Sequence, residues 1–244
     1  MITRRLLLTA SAALAATAAS GQRADAVEQR PIVVELFTSQ GCSSCPPADA
    51  FLGELARRPD VLPLAFHVDY WDYIGWADRF ADRAWTARQR AYRQALGLRS
   101  IYTPQMVVDG RIDVVGSYRP QVERAINLAR GKSNDARLAL GGAADGGITI
   151  EISGNTGGAG EAELLLVTYD RRQETAVLRG ENAGKKLVEY NIVRSLARVG
   201  LWRGGADVHK VAASELPEAG DQCVVLLQSP GPGPILASAA MRLR

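Results

Sequence analysis

The feature that most constrains this chain is Gly41-Cys42-Ser43-Ser44-Cys45-Pro46-Pro47, which follows directly on the apolar run Pro31-Ile32-Val33-Val34-Glu35-Leu36-Phe37. The run reads as a strand. After it, Ala48, Phe51, Leu52, Leu55 and Ala56 recur at the i, i+3, i+4 spacing of a helix with one buried stripe. The two thiols therefore fall at a strand-to-helix junction. A helix N-terminus carries unpaired N–H groups and about half a positive charge, so a thiol seated there gives up its proton more readily than a free cysteine. Cys42 is the expected nucleophile. Cys45, about one turn later, closes a disulfide with it or resolves a mixed disulfide, because exchange proceeds by thiolate attack on sulfur. Pro46 and Pro47 suit a first helical turn, where a missing N–H removes no intrahelical bond.

Residues 1–26 read as a removable secretory signal. Arg4 and Arg5 precede an uncharged run from Leu6 to Ser20 that is too short for a bilayer span, and Ala16-Thr17-Ala18 and Ala24-Asp25-Ala26 offer small-residue cleavage sites. Thr3-Arg4-Arg5-Leu6-Leu7 loosely resembles a twin-arginine signal. The expected location is exported, periplasmic or secreted, with no membrane span after signal removal, in a compartment where a disulfide persists. Lys and Arg number 29 against 26 Asp and Glu, and without Arg4 and Arg5 the balance is 27 against 26. That near-neutrality argues against nucleic acid as a partner, since its recognition needs a concentrated basic face. The series Arg79, Arg83, Arg88, Arg90 and Arg93 reads as the solvated side of a helix.

Val61-Leu62-Pro63-Leu64-Ala65-Phe66-His67-Val68-Asp69 is a second apolar strand that completes a parallel, right-handed βαβ unit. Tyr70 to Trp76 is an aromatic loop. Ala77 to Leu96 is expected as a helix with Phe80, Ala84, Ala87, Ala91 and Ala95 inward. Tyr102 to Val115 is a hairpin turning at Asp109-Gly110, and Pro120, Val122, Ala125, Ile126 and Ala129 supply a closing helix. Residues 27–132 thus follow the order βαβα-ββα. Beyond them, from 133 to 244, short alternating runs at 148–152, 163–169 and 224–228 are punctuated by glycine clusters, the texture of a predominantly β second domain, a small sandwich. Leu187 to Arg198 begins with strand alternation and ends with helical spacing. Cys223, unpaired by count, reads as a buried small hydrophobe or a redox partner of the dithiol.

The order of elements, with a dithiol after the first strand and Thr103-Pro104 opening the hairpin, resembles the thioredoxin fold. That resemblance implies a cis proline facing the redox pair and makes Thr103 and Pro104 substrate-contacting residues. More closely, Glu35 to Asp49, His67 to Asp72 and Tyr102 to Gln105 are similar to a bacterial family of secreted thioredoxin-like proteins catalogued as a domain of unknown function. The similarity continues through Gly180-Glu181-Asn182-Ala183-Gly184-Lys185 and Asn191 to Leu196. It implies an α/β chain: a thioredoxin-like domain over 27–132 and a predominantly β C-terminal domain over 133–244. Thiol redox chemistry is implied by the superfamily, not by the family.

Three further expectations concern the site. Glu35 is either an acid beneath the dithiol that takes the resolving thiol's proton or an ion-pair partner or solvent-facing strand residue. Trp71 and Trp76, on the aromatic loop, either line a substrate groove or simply pack. His67 is either a hydrogen-bonded core histidine or, with Cys42 and Cys45, a third ligand for copper or zinc. The expected activity is that of an exported thiol-disulfide oxidoreductase acting on protein or small thiol substrates, with no dissociable cofactor. The alternatives are a periplasmic copper or zinc metallochaperone and a non-enzymatic module with a structural disulfide.

Overall fold

The computed structural model describes residues 30–132 and 135–243, so the expected signal lies outside the described residues. The elements run β1 (Ile32–Thr38), α1 (Pro46–Leu55), β2 (Val61–His67), α2 (Arg83–Ala95), β3 (Gln105–Val108), β4 (Ile112–Val115), α3 (Arg119–Arg130), and then seven strands: β5 (Arg137–Gly142), β6 (Ile148–Ser153), β7 (Ala162–Ala176), β8 (Lys186–Trp202), β9 (Asp207–Val211), β10 (Gln222–Gln228) and β11 (Ile235–Arg242). Up to α3 this is the order read from the sequence.

The second half is not set apart from the first as a separate sheet. Four of its strands extend the first half's sheet, giving eight strands in the order β11-β10-β7-β8-β2-β1-β3-β4, while β5, β6 and β9 form a second, three-stranded sheet. The seam lies between β2 and β8, which pair in parallel at Ala65 and Ile192. There the Asn191 amide adds a bond to the Pro63 carbonyl at 2.8 Å. The expected boundary at 132/133 thus falls between α3 and β5, and the large sheet draws four strands from each side of it.

Burial follows strand alternation. Val33 and Phe37 of β1 face a core shared with Trp85 and Tyr92 of α2. Val34 and Leu36 face the opposite side, against Phe51, Leu52 and Leu55 of α1 and Val122 and Ile126 of α3. A third core lies between the two sheets, where Ile148, Ile150 and Ile152 of β6 meet Leu164, Leu166, Val225 and Leu227, so the sandwich expected from the sequence borrows one of its layers from the long sheet. Cys223 is buried there without a disulfide partner.

Two sequence expectations are corrected. Helix α2 starts at Arg83, where the Asp82 carboxylate accepts from the Ala84 N–H at 2.8 Å, and it buries Trp85, Thr86, Gln89 and Tyr92. Ala84, Ala87 and Ala95 face solvent. Two large rings bury far more area than a stripe of methyls, and the polar pair beside them finds partners: Gln89 donates to Gln105 Oε1 at 2.8 Å and Thr86 to Asp69 at 2.5 Å. With this rotation Arg88 leaves the solvated side and points into the core. Second, Leu187 to Arg198 is strand throughout. Its pairing with β7 shifts register twice, between Leu164/Leu165 and between Thr168/Tyr169. Each shift inserts an extra β8 residue and resets the alternation, so the apolar spacing stops looking like a strand.

The Asp109-Gly110 turn forms as expected, with φ of 56° and 67°. It is also a fixed point of the fold: an added Cβ on Gly110 would lie 2.2 Å from the Gly233 carbonyl oxygen. The Asp109 carboxylate holds Arg30 through both oxygens, at 2.7 and 2.8 Å.

Candidate functional site

Cys42 and Cys45 are joined in a disulfide, Cα to Cα 5.4 Å, at the start of α1. Cys45 is the N-cap residue, and its carbonyl accepts from Ala48 N at 2.8 Å and Asp49 N at 3.1 Å. Both cysteines are fully buried, whereas Ser43 and Ser44 between them are exposed. Thr103 Oγ1 donates to Cys42 Sγ at 3.2 Å, and Ser44 Oγ lies 3.3 Å from the same sulfur. The Thr103–Pro104 bond is cis, as the resemblance implies. Trp71 closes this side, its indole N–H donating to Thr103 Oγ1 at 2.8 Å. Thr103 and Trp71 are therefore gathered at Cys42. Trp76 is not: its N–H goes to Gln40 Oε1 at 2.9 Å.

The other side of the loop is held from the far half of the chain. The connection between β7 and β8 carries Asn182, fully buried, whose amide donates to the carbonyls of Gln40 and Cys42 at 2.9 and 3.0 Å. Lys185 in turn donates to Asn182 Oδ1 at 2.9 Å. Next to it, the exposed Glu181 carboxylate accepts from Ser43 N at 3.3 Å.

Below the loop lies a buried cluster of three carboxylates and one imidazole. Asp49, in the first turn of α1, accepts from Thr38 Oγ1 at 2.7 Å. His67, at the end of β2, sits with Nδ1 2.7 Å from Asp78 Oδ2, and Glu189 of β8 approaches the same nitrogen at 3.9 Å. Asp78 also accepts from Gln40 N at 2.8 Å and Phe80 N at 2.9 Å, while Gln40 Nε2 donates to Glu189 at 2.8 Å. Burial, partly offset by the His67 charge and the Thr38 bond, pushes the Asp49 carboxyl up to about 7. Burial pulls His67 down, but Asp78 beside it, with Glu189 and Asp49 behind, outweighs this and holds the imidazolium up to about 9. Asp78 is lowered: His67 and two backbone N–H bonds overcome its burial. Glu189 is raised, chiefly by burial. The cluster therefore holds an ion pair, His67 with Asp78, beside an acid that exchanges its proton near neutrality. His67 Nε2 has no hydrogen-bond partner.

Glu35 lies elsewhere. It points to the α2 side of the sheet, opposite α1 and the disulfide, where Arg88 Nε donates to it at 2.8 Å and the Tyr92 hydroxyl makes a very short bond to its other oxygen. Arg88 also reaches Gln228 Oε1 at 2.9 Å. Of the roles weighed for Glu35, the structure shows the ion pair. Nor is His67 brought to the cysteines as a metal ligand: its Nδ1 is occupied by Asp78, and among the described residues no group of three or more His, Cys, Asp or Glu side chains is arranged to hold a metal.

Sequence reasoning missed Asp49, Asp78, Asn182 and Glu189. For Asp49 a signal was present: an acid one helical turn beyond Cys45, on the face that the α1 stripe turns inward. For Asn182 and Glu189, more than a hundred residues away, no local pattern gives their place.

The family model described as "Protein of unknown function (DUF1223)" matches residues 33–228. The chain belongs to this DUF1223 family. The match spans both the disulfide loop and the Asn182 connection that grips it. Among solved structures, the chain is similar to protein AGR_C_4864 from Agrobacterium tumefaciens, with 33% identity, a TM-score of 0.74, and coverage of 87% of this chain and 94% of that one. It is also similar to HBP35 of Porphyromonas gingivalis, with 11% identity, a TM-score of 0.57 and coverage of 88% and 75%, a likeness of fold alone. No curated protein matches the chain. Among the described residues no helix is long and apolar enough to cross a membrane.

Proposed function

We propose that this DUF1223 protein is an exported thiol-disulfide oxidoreductase of thioredoxin-like architecture, acting on a protein or small thiol substrate. The observation that carries this reading is the Cys42–Cys45 disulfide at a helix N-cap with the Cys42 sulfur against the Thr103 hydroxyl. In the reducing direction the Cys42 thiolate attacks one sulfur of a substrate disulfide and expels the other as a thiolate, which takes up a proton. Cys45 then gives its proton to Asp49, one turn further along α1, and attacks the Cys42 sulfur of the mixed disulfide. The Cys42–Cys45 bond forms, the second substrate thiolate leaves, and two electrons have passed to the substrate. The oxidising direction is the reverse. An acid held near pH 7 suits either, since proton transfer is most effective when the group's pKa lies close to the working pH.

The full burial of both cysteines favours one second reading, a disulfide that only staples its loop. The reduction potential separates the two. Exchange chemistry predicts a Cys42–Cys45 potential well above about −300 mV, the region below which structural disulfides lie. It also predicts that Cys42→Ser abolishes turnover of a disulfide-bonded peptide, and that Cys45→Ser traps a mixed disulfide. A potential below that value with no trapped adduct supports the staple.

A further inference from the structure

We infer that Trp71 is a positioning residue that acts through Thr103, keeping the Thr103 hydroxyl proton aimed at Cys42 Sγ and so stabilising the Cys42 thiolate. The purpose of this arrangement rests on the exchange reading, but its measurement does not.

An indole N–H donates and never accepts, so the 2.8 Å contact between Trp71 Nε1 and Thr103 Oγ1 fixes the threonine oxygen as acceptor. A threonine hydroxyl has one proton. Trp71 engages one lone pair, and the proton is donated to Cys42 Sγ, 3.2 Å away, with the Tyr70 hydroxyl as the competing neighbour of Thr103. Ser44 is a poorer donor to the same sulfur, because its single proton is divided between Cys42 Sγ at 3.3 Å and the Thr103 carbonyl at 3.5 Å. Cys42 is fully buried, so water contributes little to solvating a negative sulfur there. A hydroxyl donor already oriented supplies that solvation, and a bond to a charged acceptor is stronger than one to a neutral sulfur. The indole also makes the hydroxyl a better donor, since each bond in a chain polarises the next. Trp71 is held in place itself: an added Cβ on Gly41 would come within 3.1 Å of the Trp71 Cβ, so the loop and the tryptophan are packed against one another.

The test is the ultraviolet titration of the Cys42 thiolate in the Cys45→Ser background, where no disulfide forms and Cys223, pushed up to about 11 by burial, stays protonated through the neutral range. Trp71→Phe keeps an aromatic ring at the position and removes the indole N–H with the pyrrole ring that carries it. It is expected to lower the thiolate population at neutral pH about fivefold, and Thr103→Val to do the same or slightly more. The double variant should lose no more than Thr103→Val alone, because the indole acts only through the hydroxyl. Thr103→Ser, which restores the donor, should titrate like the parent. An unchanged titration in Trp71→Phe, or a double variant whose losses multiply, overturns the relay. If Trp71→Phe fails to fold, Thr103→Val against Thr103→Ser still decides whether the hydroxyl stabilises the thiolate; equal titrations overturn the proposal. If the full pattern holds while the protein with both Cys42 and Cys45 turns over no disulfide substrate, the exchange reading fails and the relay stands.

Discussion

Two buried polar clusters sit on opposite faces of the same sheet, and they are built to opposite ends. On the α2 face Glu35 meets Arg88, with Tyr92 and Gln228 completing the set, so one carboxylate answers one guanidinium and the neutral partners fill the remaining bonds. Burial alone would lower Arg88, but Glu35 beside it raises it and keeps it charged at every accessible pH. On the α1 face, under the disulfide loop, Asp49, Asp78 and Glu189 share one cation among the described residues, His67. Acids in excess of cations cannot all ionise in a buried site, so one of them holds its proton into the neutral range. The lesson is that burial alone does not set a carboxylate's protonation state; the number of cations facing it does.

The largest effect that sharpens this contrast is expected at the closed pair. Glu35→Gln leaves Arg88 charged and buried without its partner, and should cost about 3–5 kcal/mol in urea unfolding, with no change in the pH dependence of thiol exchange. Retention of stability would mean the two clusters are not different in kind. Asp49→Asn should behave in the opposite way. A carboxyl whose folded pKa is raised favours the protonated state, so its contribution to stability falls as pH rises from 3.8 through about 7. Removing it should raise stability at pH 8 by about 1–3 kcal/mol while slowing resolution of the mixed disulfide and erasing the rate limb near pH 7. An intact limb in Asp49→Asn would take the acid out of the mechanism.

His67 gives the next measurement in size. Its folded value of about 9 lies above the ordinary 6.5. Its stabilisation is therefore fully present below about pH 6.5 and lost as pH rises through about 9, a fall of at most about 3 kcal/mol. His67→Gln should flatten that alkaline slope, and an unchanged slope would place the proton elsewhere. The smallest effect belongs to Glu181, exposed on the loop rim with its carboxylate on Ser43 N. Glu181→Gln removes a negative charge near the Cys42 helix end, so the thiolate should become easier to form by a few tenths of a pH unit, an effect that fades at high salt. A salt-independent shift would point to a structural change instead.

Much of this was legible in the sequence where the signal is local. The strand before Cys42, the stripe of α1 and the Asp109-Gly110 turn each depend on residues within a few positions of one another. Helix α2 was placed with the wrong face inward because its alanines repeat regularly, whereas the side chains that bury are Trp85 and Tyr92 together with two polar residues that find partners only in the folded state. The spacing in β8 was obscured by its two bulges. Glu35 precedes the cysteines in the sequence, yet strand parity sends it to the other face, while Asp49 finds its partners, Thr38 and His67, only in the folded chain. The sheet itself could not be read across 132/133, since pairing of β8 with β2 joins segments more than a hundred residues apart.

The grip of Asn182 on the Cys42 carbonyl spans 140 positions of the chain. It therefore imposes an order of assembly. The dithiol is synthesised first, and the residue that clamps its loop follows about 10 seconds later at a ribosomal pace of roughly 5–20 residues per second. Until Asn182 is in place the Gln40 and Cys42 carbonyls lack this amide donor. The disulfide loop is thus among the earliest parts of this protein to be made and among the last to be finished.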